Sequence, residues 1–352
     1  MEPTPTAAAA GQPKSGRKPW RRWAGMAAGI AVVVATFVFV LPRIADYRDV
    51  WDAVKELSWK AVVALVLATL LNLVTYAPPW QAALPGLHFR QAFVVTQAST
   101  ASTYIAPGGA AVGMALSYGM LRGWGFQGAA VGLAVAVTGV WNQFVLLGFP
   151  VLAVALLTTE NETHPLLETV SVIGVIVLVA VGALFALGLS TARIARAAGD
   201  LSARVVNKVL ALIRRREVRW GGDSFVRFRE RTVGLLRRRW HVLTLATLAG
   251  HLSVFLLFVV CLRALGVSDG EVTVVEAFAA WSLVRLLGSI PLTPGGIGIV
   301  EVGMTTALIG FGGANAEVVA AVLVYRFLTL VPTLVLGLVL GATWRRHQPA
   351  DV

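Results

Sequence analysis

The 352-residue sequence predicts an all-α, polytopic integral membrane protein with about six full spans and two broken or re-entrant helical hairpins in an inverted-repeat arrangement. Three observations carry that expectation. The composition is too poor in charge for a water-facing surface, long apolar runs recur along the chain, and a Pro-Gly-Gly break appears once in each half. Hydrophobic residues make up 57% of the chain and charged residues only 14%, with mean hydropathy +0.75. A soluble domain carries roughly 25% charged residues, so a soluble fold and a disordered chain are both excluded. One cysteine, Cys261, excludes an internal disulfide and a cysteine-based metal cluster.

The elements follow in order. Residues 1–23 form a basic tail, beginning with an Ala-, Pro- and Thr-rich stretch that reads as disordered. The first apolar run is Ala24–Leu41, preceded by Lys14, Arg17, Lys18, Arg21 and Arg22. A cleaved signal peptide also begins with basic residues, but its apolar core is only about 7–15 residues and ends at a small-residue site. This run is longer and ends at Pro42-Arg43, so a retained helix is expected. Arg43–Trp59, with Trp51 and Trp59 among alternating charges, reads as a short interfacial helix. Apolar runs at Ala61–Ala77, Gly128–Leu157, Val170–Leu189, Val242–Leu262 and Val318–Thr343 are each near or above the length of about 20 residues that spans hydrocarbon. Residues 24–343 form one transmembrane domain with a basic insertion at 191–240, and 344–352 a short tail.

Loop charges orient these spans. The N-terminal tail is basic, the loop at Glu160-Asn161-Glu162 is acidic, and Arg193–Arg239 holds 14 basic and four acidic residues. Basic loops stay in the cytoplasm. Both termini are therefore expected there, in a cell-membrane protein. The formal net charge of +12 is then an orientation signal: 23 basic against six acidic residues inside, five against ten outside.

Two apolar stretches, Ala92–Leu121 and Val274–Gly312, are interrupted by Pro107-Gly108-Gly109 and Pro294-Gly295-Gly296. Proline removes a backbone donor and glycine admits left-handed backbone, so each stretch must be helix, break, helix. The breaks lie 187 residues apart and each is followed by Gly-Met (Gly113-Met114, Gly303-Met304). Arg90 and Arg122 flank the first on the cytoplasmic side. Asp269, Glu271 and Glu317 flank the second on the outer side. The breaks thus enter from opposite faces, the arrangement of transporters built from inverted repeats. Irregular backbone at membrane depth is tolerated where it is buried in protein or lines a wet cavity, and free N–H groups at helix starts suit an anion. Whether each hairpin is re-entrant or fully crossing stays open at this level.

Arg285, Glu301 and Arg326 fall near the second break. Charge at membrane depth costs roughly 2.5–3.5 kcal/mol on the insertion scale and so faces a partner or a cavity. Arg285 is open to snorkelling. Glu301, seven residues past Pro294, has Arg326 as first expected partner and Arg285 as second. Such a pair is either structural or part of an anion-recognising or proton-coupled site.

Thr293-Pro294-Gly295-Gly296-Ile297-Gly298 with Glu301, and Tyr325-Arg326 six residues before Pro332, resemble the lysylphosphatidylglycerol synthase transmembrane-region family. Pro107-Gly108-Gly109 with Arg122 is similar, more weakly. The resemblance covers most of Ala24–Thr343. It implies a membrane domain that moves an anionic phospholipid or glycolipid between leaflets, with Pro294, Gly295, Gly296, Gly298, Glu301 and Arg326 as the residues carried over. The multiple-peptide-resistance proteins of that family continue into a soluble aminoacyl-transferase domain. This chain stops at Val352, so aminoacyl-lipid synthesis is not expected of it.

The insertion carries Ile194, Ala198, Leu201, Val205, Val209 and Leu212 at helical spacing among Arg193, Arg196, Arg204, Lys208 and Arg214–Arg216, and Phe225, Phe228, Leu235, Leu236 and Trp240 suggest a second short amphipathic helix. This is the pattern of a helix lying on an anionic cytoplasmic leaflet, with a plain topogenic loop as the alternative. No nucleic-acid motif accompanies the charge. The five histidines, including His251 inside a span, have no metal-ligand spacing, and Asn161-Glu162-Thr163 is a short glycosylation-like pattern. No cofactor, metal or catalytic motif is expected. Membrane lipids are the expected partners, and a second copy of the chain or an enzyme of lipid or envelope synthesis stays open. The leading function is therefore a lipid flippase or transporter. The alternatives are a non-transporting membrane scaffold and a membrane-embedded enzyme acting through Glu301.

Overall fold

With little water to bond exposed amides in hydrocarbon, the apolar runs satisfy their backbone within helices. The computed structural model describes residues 47–106, 109–159, 165–212, 221–289 and 293–347, and no strand occurs among them. Ala24–Leu41, Pro107, Gly108, the Glu160–Glu162 loop with Thr163, and Arg214–Arg216 lie outside the described residues. A short helix α1 (Tyr47–Lys55) leads into α2 (Trp59–Thr75), capped by Ser58 Oγ, which accepts from the Ala61 N–H at 3.2 Å. α3 (Pro78–Ala83) extends α2. Then come α4 (Phe89–Ile105), α5 (Gly109–Gly123), α6 (Gly128–Thr159), α7 (Pro165–Ser190), α8 (Ala192–Leu212) and α9 (Gly222–Ala264). The chain ends with α10 (Val274–Gly288), a 3-10 turn at Pro294–Gly296, α11 (Ile299–Phe311), α12 (Asn315–Thr343) and a 3-10 turn at Trp344–His347.

Five stretches are long and apolar enough to cross a bilayer: Trp59–Ala83, Gly128–Thr158, Val172–Ser190, Gly222–Ala264 and Asn315–Thr343. They coincide with the five predicted spans that fall within the described residues. The protein is an all-α, multi-pass membrane protein. α7 is the most lipid-facing of them, with Val172, Ile176, Val179 and Leu184 exposed. The interior between the other spans carries a polar seam. Thr75 Oγ1 lies 2.7 Å from Ser253 Oγ, the Gln97 amide donates to Leu73 O at 3.0 Å, and Thr96 Oγ1 donates to Tyr76 O at 3.2 Å. Such bonds between membrane helices compensate for the weak hydrophobic drive between apolar surfaces in lipid.

α4 and α5 are about 25 and 22 Å long, and α10 and α11 about 22 and 20 Å, so none crosses a core of about 30 Å alone. Both pairs turn back. In the first pair Gly109 sits against Thr103 and Gly113 against Ser99, an antiparallel pairing. In the second, Gly312 at the end of α11 closes on Glu271 O just before α10. The long helix α12 shows how the two hairpins are placed. Its start, beside Gly313, adjoins Val272 at the mouth of the second hairpin; Trp344, after its end, covers Gly123 and accepts through its carbonyl from Trp124 Nε1 at the mouth of the first. The hairpins therefore enter from opposite ends of the bundle, as their flanking charges predict. Each has its own core. Val94, Val95, Met120, Leu121 and Trp124 pack with α3 and the start of α6, while Trp281, Met304, Leu308, Val322 and Phe258 pack around the second hairpin.

The basic insertion differs from expectation in one respect. Its second amphipathic segment is not a separate short helix: Gly222–Ala264 runs unbroken for 43 residues from the polar region through the span. No glycine or proline between Leu235 and Val242 interrupts it, so the backbone ladder continues across the boundary. α8 folds back on this helix through Asp200 Oδ1, which accepts from the Gly222 N–H at 2.7 Å, and through Gly199 against Phe225. Arg229 donates to the last carbonyls of α7, Leu189 and Ser190, at 2.9 Å each.

A broken-helix site closed by a buried ion pair

The second break is built from glycine. Gly295, Gly296 and Gly298 have φ of 63°, 67° and 89°, the left-handed region in which a Cβ costs about 1–2 kcal/mol. Three such residues within four positions turn the chain between α10 and α11 without a long loop. The turn leaves backbone groups exposed at depth, and two charged side chains satisfy them. Glu301 reaches back one turn so that its Oε2 accepts from the Gly298 N–H at 2.6 Å. Its Oε1 accepts from Arg326 Nε at 2.6 Å, and Arg326 also donates to Gly295 O at 3.0 Å. Glu301 is fully buried and Arg326 is 8% exposed. The pair thus acts as a clasp: one carboxylate and one guanidinium tie α11, the turn and α12 together. Every bond in it is charge-assisted.

The end of α4, just before the first break, meets the second turn beside this clasp. A Cβ on Gly295 would lie 2.8 Å from Tyr104 Cδ1, so the ring of Tyr104, at the end of α4, rests directly on the second turn. Pro107 and Gly108 lie outside the described residues. Gly109 begins α5 and packs on Thr103 of α4. Pro294, Gly295, Gly296, Gly298, Glu301 and Arg326 are brought together. Arg122 is not among them: it sits at the far end of α5, where it donates to Phe126 O at 2.6 Å. Glu276, which also falls within an apolar stretch, is the capping carboxylate of α10, accepting from the Thr273 N–H at 2.7 Å.

Arg285 lies one helix away from the clasp, on α10. Its guanidinium stacks over Trp281 at 4.9 Å and lies among Tyr76, Tyr325 and Tyr104, with Tyr76 close enough to hydrogen bond. These are three of the five tyrosines in the chain. Trp281 Nε1 donates to Tyr325 Oη at 3.1 Å, which fixes the indole beneath the arginine. Phe149, Phe255 and Phe278 close the rest of this aromatic box around Trp281. Sequence reasoning did not find the tyrosines as a group. Their rarity was the available signal, since Tyr76, Tyr104 and Tyr325 each lie at an otherwise apolar helix position or end.

His251 on α9 engages Asn142 Oδ1 through Nε2 at 2.9 Å. No group of three or more His, Cys, Asp or Glu side chains that could hold a metal occurs among the described residues.

A family model, lysylphosphatidylglycerol synthase TM region, matches residues 26–337. The chain belongs to this family. The match spans both broken hairpins, the clasp and α12 up to Gly337, so the resemblance carried by Thr293–Gly298, Glu301 and Tyr325-Arg326 extends over the whole bundle. A comparison with curated proteins gives no match.

Proposed function

We propose that the protein moves a membrane lipid between leaflets, as a flippase or transporter of an anionic phospholipid or glycolipid in the cell membrane, without catalysing a covalent step. One observation carries this reading: two hairpins that enter from opposite ends of the bundle touch tip to tip, Tyr104 on Gly295, beside the buried Glu301–Arg326 pair. Inverted-repeat transporters place their sites where such discontinuous helices meet. Family membership supports the lipid as the cargo. Glu301 and Arg326 are then the gate. Their clasp closes the tip of the second hairpin on α12, and passage of a headgroup requires it to open.

The orientation proposed puts the termini and α8 at the cytoplasmic side. Ile194, Leu201 and Val205 share one exposed face of α8, at 40%, 56% and 55% exposure, while Ala195 and Gly199 make the packed face. Arg193, Arg204 and Lys208 flank the exposed stripe. An apolar stripe edged by cations fits an anionic leaflet, at about 1 kcal/mol per nearby basic residue.

The test is reconstitution into vesicles with fluorescent anionic and glycosylated lipids and chemical quenching of the outer leaflet. Protein-dependent equilibration is the expected result, slowed at least ten-fold per folded molecule in Glu301→Gln, which cannot re-form the charged clasp after it opens. No protein-dependent exchange for any lipid would overturn transport and favour a scaffold role.

A further inference from the structure

Arg285 and Arg326 lie at similar depth: each is eleven residues into its helix, about 16 Å along the axis. Their surroundings differ. Arg326 has a carboxylate and a carbonyl. Among the described residues no carboxylate pairs with Arg285. An aromatic face and one phenol answer only part of a guanidinium with five N–H donors. A cation at that depth without a counter-charge is costly, so its retention points to a charge that arrives from outside the chain.

A second polar group faces the same place. Leu146 and Phe149 of α6, His251 of α9, and Trp281, Ser282 and Arg285 of α10 line one narrow space, too tight for a water molecule. The Nδ1 of His251, one of these lining residues, is buried without a hydrogen-bond partner. The Asn142 amide can accept from or donate to Nε2, so the imidazole is able to present Nδ1–H without losing that contact. The aromatic walls keep water out and strengthen any charge interaction formed inside.

We propose that Arg285, with His251, forms an oxyanion subsite that takes a phosphate group. Two sources share that chemistry, a lipid headgroup and a free phosphate. For the headgroup, the inference rests on the lipid-moving reading above and names the part of the cargo recognised: the phosphate, distinct from the clasp at Glu301–Arg326. Occupation widens the gap between α6, α9 and α10.

Thermal unfolding of the full chain, delipidated in an uncharged detergent, tests the subsite. The probes are inorganic phosphate, glycerol 3-phosphate, phosphatidylglycerol and diacylglycerol. The wild-type midpoint rises with phosphatidylglycerol and not with diacylglycerol. A rise with the lipid alone assigns the headgroup, and a rise with all three phosphates assigns the free anion as well. Arg285→Gln holds or raises the probe-free midpoint, because it removes an uncompensated charge, and weakens the apparent phosphate affinity at least ten-fold. His251→Phe weakens it several-fold. Arg227→Gln, on the exposed part of α9, leaves it unchanged. A lowered probe-free midpoint in Arg285→Gln with an intact phosphate response makes Arg285 a structural residue and overturns the subsite. So does a diacylglycerol response equal to that of phosphatidylglycerol, or a wild-type response in His251→Phe.

The two failures are separable. An Arg285-dependent phosphate response in a protein that moves no lipid in vesicles sinks transport and leaves the subsite. Undiminished transport in Arg285→Gln with an unchanged phosphate response does the reverse.

Discussion

The two hairpins make the same turn-back by different means. In the first, α4 and α5 are held by close contact of small residues. The space a Cβ on Gly113 would need lies 2.8 Å from Thr103 Oγ1 and 2.9 Å from Ser99 O, and Gly337 of α12 presses more closely still on Ala101 and Gln97. Hydroxyls look after their own backbone: Ser102 Oγ donates to Ser99 O at 2.7 Å and Thr103 Oγ1 to the same carbonyl at 3.0 Å. No charged residue lies between Arg90 and Arg122. In the second hairpin the contacts at the tip are an ion pair, Glu301–Arg326, and its hydrogen bonds to Gly298 N–H and Gly295 O. A re-entrant backbone at depth needs each polar group answered, and either local hydroxyls or a buried charge pair can do so. Only the charge pair depends on a counter-charge that a single substitution removes. On the proposed lipid-moving function, the first hairpin is then the fixed wall of the site and the second its movable part.

The largest expected effect tests that division directly. Glu301→Gln leaves Arg326 buried without its counter-charge and should cost about 3–5 kcal/mol of stability. The double variant Glu301→Gln with Arg326→Gln should recover part of the loss, measured as coupling in a double-mutant cycle of thermal midpoints. Additive losses would mean the pair is not the clasp. Next, Gly113→Ala should cost about 1–3 kcal/mol by overpacking α4 against α5. Under the fixed-wall reading it lowers stability without a specific loss of lipid movement per folded molecule in the vesicle assay. Gly295→Ala should cost about 1–2 kcal/mol from its positive φ, and here lipid movement should fall further than stability does. Tyr104→Ala in the same chain should relieve the contact at 2.8 Å and restore little, because the backbone strain stays.

The smallest effect lies at the mouth of the second hairpin. The Ser268 N–H and hydroxyl hold the exposed Glu271 carboxyl below its usual 4.5. A depressed carboxylate contributes stability above pH 4.5 that is lost as pH falls through the lower folded value. Glu271→Gln should therefore lower the thermal midpoint slightly at pH 7, with the difference vanishing in acid. A larger effect than that of Gly295→Ala would move the weak point of the hairpin from tip to mouth.

Much of this was legible in the residues. Five spans, two breaks, their opposite entry and the Glu301–Arg326 pairing follow from hydropathy, proline and glycine chemistry, loop charge and the cost of burying a charge. These are local or one-dimensional properties, and each constrains the fold without knowledge of neighbours. The continuity of α9 was missed because the sequence shows a change from polar to apolar surroundings at Trp240 but no signal to stop the helix. Arg122 entered through the resemblance, and it lies where its loop charge puts it, in the last turn of α5 and away from the break.

Tertiary structure alone decided the rest. That Tyr104 of one half touches Gly295 of the other, 191 positions later, is fixed by how α4 and α10–α11 pack on α12. Nothing local to either residue encodes it. Likewise, the sequence placed two arginines in the membrane and gave no means of telling them apart. Packing supplied the difference: α12 carries Arg326 to a carboxylate, and α10 carries Arg285 into a ring of aromatics with no counter-charge among the described residues. A charge is a property of the residue; whether it is answered is a property of the fold.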